Sequence, residues 1–236
     1  MNISFRSLTQ LCSALWVVIV ISPKNLYNLL PCILYLLCNL TAETERKWAE
    51  VLGQHFTLES WDRVWKIHTE SDVPNKTKWL QLQILRNILK TNYIVSKFQV
   101  NISAACSFCN NAPENIVHLF WDCAKVKEFW SEATLFLNGA LGPNQLTKRK
   151  VLFGDTTHSG KNIINLFILL GKDFIWKNKF TTRNLSMAHF KRFSKNAVLD
   201  VIRKRLKQNI FNQSEPGWQS IFDIYELQPN HLNDQF

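Results

Sequence analysis

The chain has 236 residues, of which 46% are hydrophobic, and its formal net charge is +10. This length gives one large domain or two small ones, and the nine Trp and sixteen Phe residues supply enough material for a packed core, which excludes an intrinsically disordered protein. The seven glycines argue against an all-β protein built on tight turns, and the positive charge favours an anionic partner such as nucleic acid or a membrane surface.

The first forty residues contain two apolar runs, Leu11 to Ile21 and Leu26 to Leu40, and receive no assignment. Neither run reaches the roughly 20 residues that a transmembrane helix needs. Two interpretations stay open: a membrane-inserted segment, with or without a signal peptide, and a pair of buried helices.

The six cysteines fall into two groups. Three lie in the apolar N-terminal segment, and three lie between residues 106 and 123, while the last 113 residues contain none. The chain is far longer than a secreted disulfide scaffold. This distribution favours a reducing compartment, the cytoplasm or the nucleus, with a membrane location left open. The N-terminal cysteines are Cys12, Cys32 and Cys38.

Apolar residues recur at helical spacing from residue 41 to residue 90, and Pro74 divides this stretch into two. Thr41 is the predicted cap of the first part, which runs over 41–73. The second part runs from Thr77 to Lys90, and the polar pair after it ends the pattern. Residues 93–100 predict either a short helix or a strand.

The most specific motif of the chain is C-x2-C-x8-H-x4-C. Three thiols and one imidazole form a complete ligand set for a closed, tetrahedral Zn²⁺ site, which stabilises structure and leaves no position for catalysis. His118 and Cys123 lie about 140° apart on an ideal helix, so the helix must end or bend near Asp122. A disulfide is the main alternative for the first two cysteines. The predicted ligands of one structural zinc ion are Cys106, Cys109, His118 and Cys123.

Further helices are predicted after the zinc motif. The pattern favours a helix that ends at Asn138 with Gly139 as its C′ residue, a 139–160 loop with a short apolar turn at 148–154, an apolar helix over 161–180, and a helix from the Ser186 cap to about Phe211.

The predicted fold class is mainly α, a helical domain with a small Cys3His zinc module inserted between helices. The predicted divisions are an N-terminal segment over 1–40, a helical region over 41–138 with the zinc module at 79–130, the 139–160 loop, a basic helical region over 161–226 and a polar tail over 227–236. A polar stretch begins at Pro216 and includes an apolar cluster of Trp218, Ile221, Phe222 and Tyr225.

Positive charge is concentrated between Lys161 and Lys207. Twelve basic and two acidic residues there give 12 − 2 = +10, which equals the net charge of the whole chain. Several cations on one fixed scaffold are what binding to a phosphate backbone requires, although a solvated helix face has the same composition. The candidate nucleic-acid ligands on the last long helix are Lys191, Arg192, Lys195, Arg203 and Lys207.

These motifs resemble the zinc-binding module at the C-terminal end of reverse transcriptases from LINE-type non-LTR retrotransposons. The resemblance is specific over about 79–130 and looser to about 226. It rests on the run ILRNILKTN, Cys106 and Cys109, Glu114, His118-Leu119-Phe120, Cys123 and Phe129-Trp130, followed by Leu152-Phe153-Gly154 and Phe174-Ile175-Trp176-Lys177.

The resemblance implies an accessory module that grips template RNA beside a polymerase domain. Such polymerases need a Tyr/Phe-x-Asp-Asp motif for two Mg²⁺ ions, and this sequence contains no Asp-Asp pair. We therefore expect no catalytic residues and no enzyme activity, and a C-terminal fragment without polymerase and endonuclease domains. Phe108 beside the zinc site could stack a base or pack under the metal turn.

Three alternatives remain at this point. The same zinc fold could serve as a protein–protein interaction module. The chain could instead be tethered to a membrane through residues 11–40, with the basic helix against the lipid surface. An inert retroelement remnant is the third.

Overall fold

The computed structural model of the chain describes residues 43–53, 57–141, 145–157, 163–181, 184–208 and 218–226. It divides into two units, 1–55 and 56–236. In the first unit, residues 43–52 are helical, and Arg46 bonds Glu43 and Glu50 at 2.9 and 2.6 Å. The predicted cap at Thr41 and the whole 1–40 segment lie outside the described residues. No helix in the described ranges is long and apolar enough to cross a membrane.

The described part of the second unit is helical and has no strand, although one isolated β-bridge pairs Ala105 with Pro113. The predicted mainly α class with a zinc-type Cys3His cluster is therefore confirmed. The helices are α1 (Leu58–Glu70), α2 (Asn75–Leu85), α3 (Asn92–Val95), a π-helical turn (His118–Asp122), α4 (Ala124–Leu141), α5 (Lys148–Phe153), α6 (Ile163–Asn178), α7 (Met187–Lys207) and α8 (Trp218–Tyr225).

Short side chains and one glycine set several of these boundaries. Pro74 precedes α2, as the sequence predicts. The predicted cap Ser186 accepts a hydrogen bond from the backbone N–H of His189 at 3.4 Å. Helix α5 ends at Gly154, which has a φ of 91°. A Cβ at this position would lie 2.8 Å from the Ile67 side chain, so both the backbone conformation and the available space require glycine.

Other boundaries differ from the prediction. Of the two alternatives for residues 93–100, the structure has the short helix, although α3 has only one turn and further turns follow it. Gly139 lies inside α4, which continues to Leu141, so the prediction of a C′ glycine there was wrong. Helix α5 lies within the predicted 139–160 loop. Helix α7 ends at Lys207, four residues before the predicted end.

Helix α6 forms the centre of the core. Every residue in it except Trp176 and Lys177 is buried, as expected for a helix that is apolar on all sides. The Phe129 ring of α4 packs against Phe174 and against Phe190 of α7, with centroid distances of 5.5 Å to each. Gly171 lets the Trp130 ring approach α6, because a Cβ there would lie 2.6 Å from Trp130 Cη2.

Helix α8 completes this core. The apolar cluster predicted in the polar stretch lies on this helix, and all four of its side chains are buried. Tyr225 bonds Ser194 of α7 through the two hydroxyls at 2.6 Å, and the Arg205 guanidinium lies over the Trp218 ring at 5.1 Å. The C-terminal end of the described chain is thus part of the packed fold.

Candidate metal centre and nucleic-acid interface

The four predicted zinc ligands lie together. Their ligand atoms are all within 4.8 Å of one another. The Cys106 and Cys123 sulfurs are 3.9 Å apart, and Cys109 Sγ lies 3.3 Å from His118 Nε2. A tetrahedral zinc ion with bonds of about 2.3 Å to sulfur and about 2.0 Å to nitrogen places two sulfurs roughly 3.8 Å apart and a sulfur and a nitrogen roughly 3.5 Å apart. The donor set and its spacing therefore fit one structural Zn²⁺ with His118 Nε2 as the nitrogen ligand.

A π-helical turn brings the two later ligands, His118 and Cys123, to the same side of the chain. The backbone N–H of Cys123 donates to His118 O at 3.0 Å, an i→i+5 bond. This wider turn brings Cys123 back toward His118, whereas an α-helix would place the two residues about 140° apart. The backbone of Cys123 is extended, and α4 begins at Ala124. The bend that the sequence predicts near Asp122 is this turn.

The first two ligands lie on a tight loop. Cys106 donates its N–H to Ala112 O at 2.8 Å, and the Asn110 N–H donates back to Cys106 O at 2.9 Å, with Asn110 at a φ of 55°. The N–H of Phe108 lies 3.4 Å from Cys106 Sγ, the direction that stabilises a bound thiolate. Phe108 is half-buried. All three cysteines of the cluster are free, so the alternative of a Cys106–Cys109 disulfide is not present.

Hydrogen bonds from Cys106 and from the start of α4 favour a thiolate at Cys123. A hydrogen bond from the Cys106 thiol lowers the pKa of Cys123, and the backbone N–H groups of Val126 and Lys125 add to this effect. The same shared hydrogen bond, together with burial, raises the pKa of Cys106. Cysteine binds a metal ion as the thiolate, so zinc binding at this pair displaces the thiol protons.

A buried ion pair holds the zinc loop against the core. The Glu114 side chain is fully buried and accepts from Lys179 Nζ at 2.5 Å. It also accepts from the N–H of Ser107 at 2.9 Å and of Asn92 at 3.0 Å, and the Asn92 amide donates to Ala105 O at 2.9 Å. Burial raises the pKa of Glu114, but the hydrogen bonds from Lys179 and Ser107 outweigh it and hold the pKa below its ordinary value.

This network explains motif residues to which the sequence gives no role. Thr91-Asn92 ends a helical pattern in the sequence, and in the structure Asn92 links α3 to the zinc loop. Lys179 is one of the twelve cations counted as basic charge, and in the structure its side chain is 2% exposed. The spacing of 65 residues between Glu114 and Lys179 leaves no sequence signal for their pairing.

The basic stretch divides into buried and exposed cations. Lys172, Lys179 and Arg205 are buried and unable to meet a phosphate backbone, and Arg205 bonds Asp72 at 2.8 Å. Lys204 is more exposed but also bonds Asp72, at 2.9 Å. The net charge of the 161–207 stretch therefore overstates the charge that this stretch presents to solvent.

The five candidate nucleic-acid ligands all lie on α7. Arg192, Lys195 and Lys207 are exposed, and Arg203 is half-buried with an ion pair to Asp200 at 3.2 Å. Lys191 is half-buried with its Nζ 5.1 Å from the Phe136 ring centroid. The helix runs about 22 Å from the first exposed cation to the last, at about 1.5 Å per residue. The structure thus places these candidates beside the buried stripe of α7 and not within it.

Comparisons with known proteins bear on the zinc segment. The model of a family described as zinc-binding in reverse transcriptase matches residues 38–130. This range covers all four ligands and the ion-paired Glu114. Neither the curated proteins nor the solved structures give a match to the chain.

Proposed function

We propose that this chain is a zinc-stabilised RNA-binding module derived from the C-terminal part of a LINE-type retrotransposon reverse transcriptase. The family match over 38–130 and the Cys3His cluster support the zinc-binding retroelement origin. The observation that carries RNA binding is the row of cations on α7, beside a fold held rigid by the core and the metal. Zinc acts structurally in this proposal, since four protein ligands close its coordination.

Salt dependence tests this proposal. Binding to single strands through phosphates weakens with salt by a log–log slope of about −0.7 per neutralised phosphate. Titration of labelled RNA into the zinc-loaded chain at low and moderate salt measures this slope by fluorescence anisotropy. The test variant replaces the five α7 cations by Gln, which should weaken binding and flatten the slope by about 0.7 for each lost contact. The five are Lys191, Arg192, Lys195, Arg203 and Lys207.

Matched controls separate a specific face from general charge. Lys66→Gln and Lys125→Gln remove exposed lysines of α1 and α4 that pair with the exposed carboxylates of Asp62 and Glu128. Each control should leave the slope unchanged within about half a unit. Binding that is absent at low salt, or that is equally affected by the control and α7 variants, contradicts the proposal.

We also propose that the chain has no polymerase, nuclease or hydrolase activity and acts beside a polymerase domain of the parent element. The absence of an Asp-Asp pair from the sequence supports this. Primer extension with Mg²⁺ on an RNA template is the direct assay, and extension above a heat-inactivated control would refute it.

A protein–protein role is the second candidate function. It is favoured by exposed apolar side chains in the turn segment before the zinc loop, where Phe98 is 83% and Val100 is 100% exposed. Exposed apolar side chains mark an interaction surface when they form one patch. This role replaces RNA binding if the RNA titration finds no affinity at low salt.

A further inference from the structure

Helices α2 and α6 form an aromatic groove on the surface of the second unit. The residues on each side of the groove are spaced i, i+3, i+4 and i+7 along the chain. The last residue on the α6 side, Phe180, lies just after the end of that helix. The groove encloses about 290 Å³. Its lining is Lys76, Trp79, Leu80 and Gln83 from α2, and Asp173, Trp176, Lys177 and Phe180 from the other side.

The aromatic walls of the α2–α6 groove are open to solvent. Trp79 is 56% exposed and Phe180 is 69% exposed. Trp176 is half-buried and meets the Phe180 ring edge-on, with centroids 5.4 Å apart and an angle of 87° between the planes. Trp79 is one of the apolar residues in the Thr77–Lys90 helical pattern, so its exposure is a feature that only the tertiary structure reveals.

Lysines border this groove. Lys76 is exposed and makes no ion pair with any residue in the described ranges. Lys177 lies half-exposed, with its Nζ 3.0 Å from Asp173 Oδ2, and Thr77 donates to the same oxygen at 3.1 Å. The one carboxylate of the lining is therefore neutralised by its neighbours, and the free charge at the rim is positive.

The groove is also attached to the zinc loop. Lys179 Nζ lies 4.7 Å from the Trp176 ring centroid and 5.0 Å from that of Phe180, and it forms the buried ion pair with Glu114. The rings of one wall thus contact the same lysine that holds the metal loop. Rigid aromatic platforms lose little conformational entropy when a planar ligand stacks on them.

Size and charge favour a nucleobase over a protein segment. A volume of about 290 Å³ is at the lower end of the range for small-molecule sites, whereas a stable protein interface buries about 800 Å² on each partner. Lysine is depleted in the cores of protein interfaces, but lysine beside exposed aromatics is the arrangement that binds unpaired nucleotides.

We propose that the α2–α6 groove binds one unpaired base of single-stranded RNA, stacked on Trp79 and Phe180, with Lys76 facing the adjoining phosphate. This inference rests on the proposed function and assigns part of the RNA contact to a surface separate from the α7 cations. It predicts that affinity has a base-dependent component that salt does not remove.

The test compares two labelled RNA oligonucleotides of equal length, one with all bases and one abasic throughout. Both carry the same number of phosphates, so a difference in Kd for the zinc-loaded full chain measures stacking. We expect the wild type to prefer the base-bearing strand by about fivefold or more, the lower limit for one stacked base. The double variant Trp79→Ala/Phe180→Ala should lose most of this preference and keep the salt slope.

Controls keep this test decisive. Phe98→Ala removes an aromatic ring of equal size that is 83% exposed and outside the groove, and it should retain the preference. Zinc content and far-UV circular dichroism establish that each variant is folded. If the double variant does not fold, the single Trp79→Ala variant replaces it, with a partial loss expected.

Each result has one meaning. A double variant that keeps the full base preference overturns the groove assignment and leaves RNA binding by α7 intact. A double variant that keeps the preference but loses a self-associated state in sedimentation also overturns it, and assigns the groove to a protein contact. No binding of either strand at low salt overturns the proposed function and the groove together.

Discussion

The buried pair of Glu114 and Lys179 offers the sharpest perturbation of the zinc module. Lys179→Met keeps most of the side-chain volume but removes the charge next to a fully buried carboxylate. Breaking a buried pair from one side costs about 3–5 kcal/mol, because the remaining charge is left uncompensated. Glu114 keeps hydrogen bonds from Ser107 and Asn92. We therefore expect the lower end of this range, about 3 kcal/mol.

Urea unfolding of the zinc-loaded chain, followed by tryptophan fluorescence, measures this loss. The matched control is Lys66→Met, which removes a pair on α1 whose side chains are 57% and 61% exposed. An exposed pair of this kind contributes about 0.3–0.5 kcal/mol. Because Glu114 positions Ser107 in the zinc loop, Lys179→Met should also weaken zinc binding by roughly 10–100-fold in chelator competition.

A double-mutant cycle isolates the pair itself. In Glu114→Gln/Lys179→Met the uncompensated charge is gone. The double variant should therefore lose about 0.5–3 kcal/mol less unfolding free energy than the two single variants lose together. The reasoning fails if Lys179→Met costs no more than Lys66→Met, or if the two single losses add without any coupling.

Two further predictions concern the metal and a buried cation. Cys109→Ser should reduce bound zinc to well below one equivalent and unfold the zinc loop, whereas the control Cys12→Ser should keep the metal. Metal analysis of the reduced proteins measures this, and retention of zinc by Cys109→Ser would refute the ligand set. Burial of Lys172 holds its pKa well below its ordinary value of 10.5. Between these two pKa values the unfolded chain binds one more proton, so this group adds stability as the pH rises and loses it as the pH falls, by about 1.4 kcal/mol per pH unit. Lys172→Met should remove that slope from the unfolding free energy measured over the pH range just below 10.5, and equal slopes in both proteins would contradict it.

The zinc ligands were predictable from the sequence because they are local. Four donors within eighteen residues can close around one ion without help from distant segments, and their residue types fix the metal chemistry. The same locality explains why the Pro74 break and the Ser186 cap are confirmed, since a missing N–H and a side-chain acceptor act on the adjoining backbone. The bend near Asp122 also follows from the ligand spacing, although its form as a π-helical turn does not.

Helix ends without a strong local signal were predicted less well. Gly139 looks like a C′ residue in the sequence. In the structure it is helical with a negative φ, and the helix continues past it to Leu141. The short helix α5 has six residues, too few to show a helical period, and its form depends on the Thr147 cap and the packing of three buried side chains.

The sequence by itself therefore determined the fold class, the metal-binding residues and the concentration of positive charge. Only the tertiary structure decided which cations meet solvent. Lys179 and Arg192 have the same charge in the sequence, but one is buried against Glu114 and the other is exposed on α7. The physical reason is that burial of a charge depends on a partner brought close by folding, and the partner of Lys179 lies 65 residues away. The exposure of Trp79 in the α2–α6 groove likewise depends on the tertiary structure, because it is set by how the other elements pack around α2.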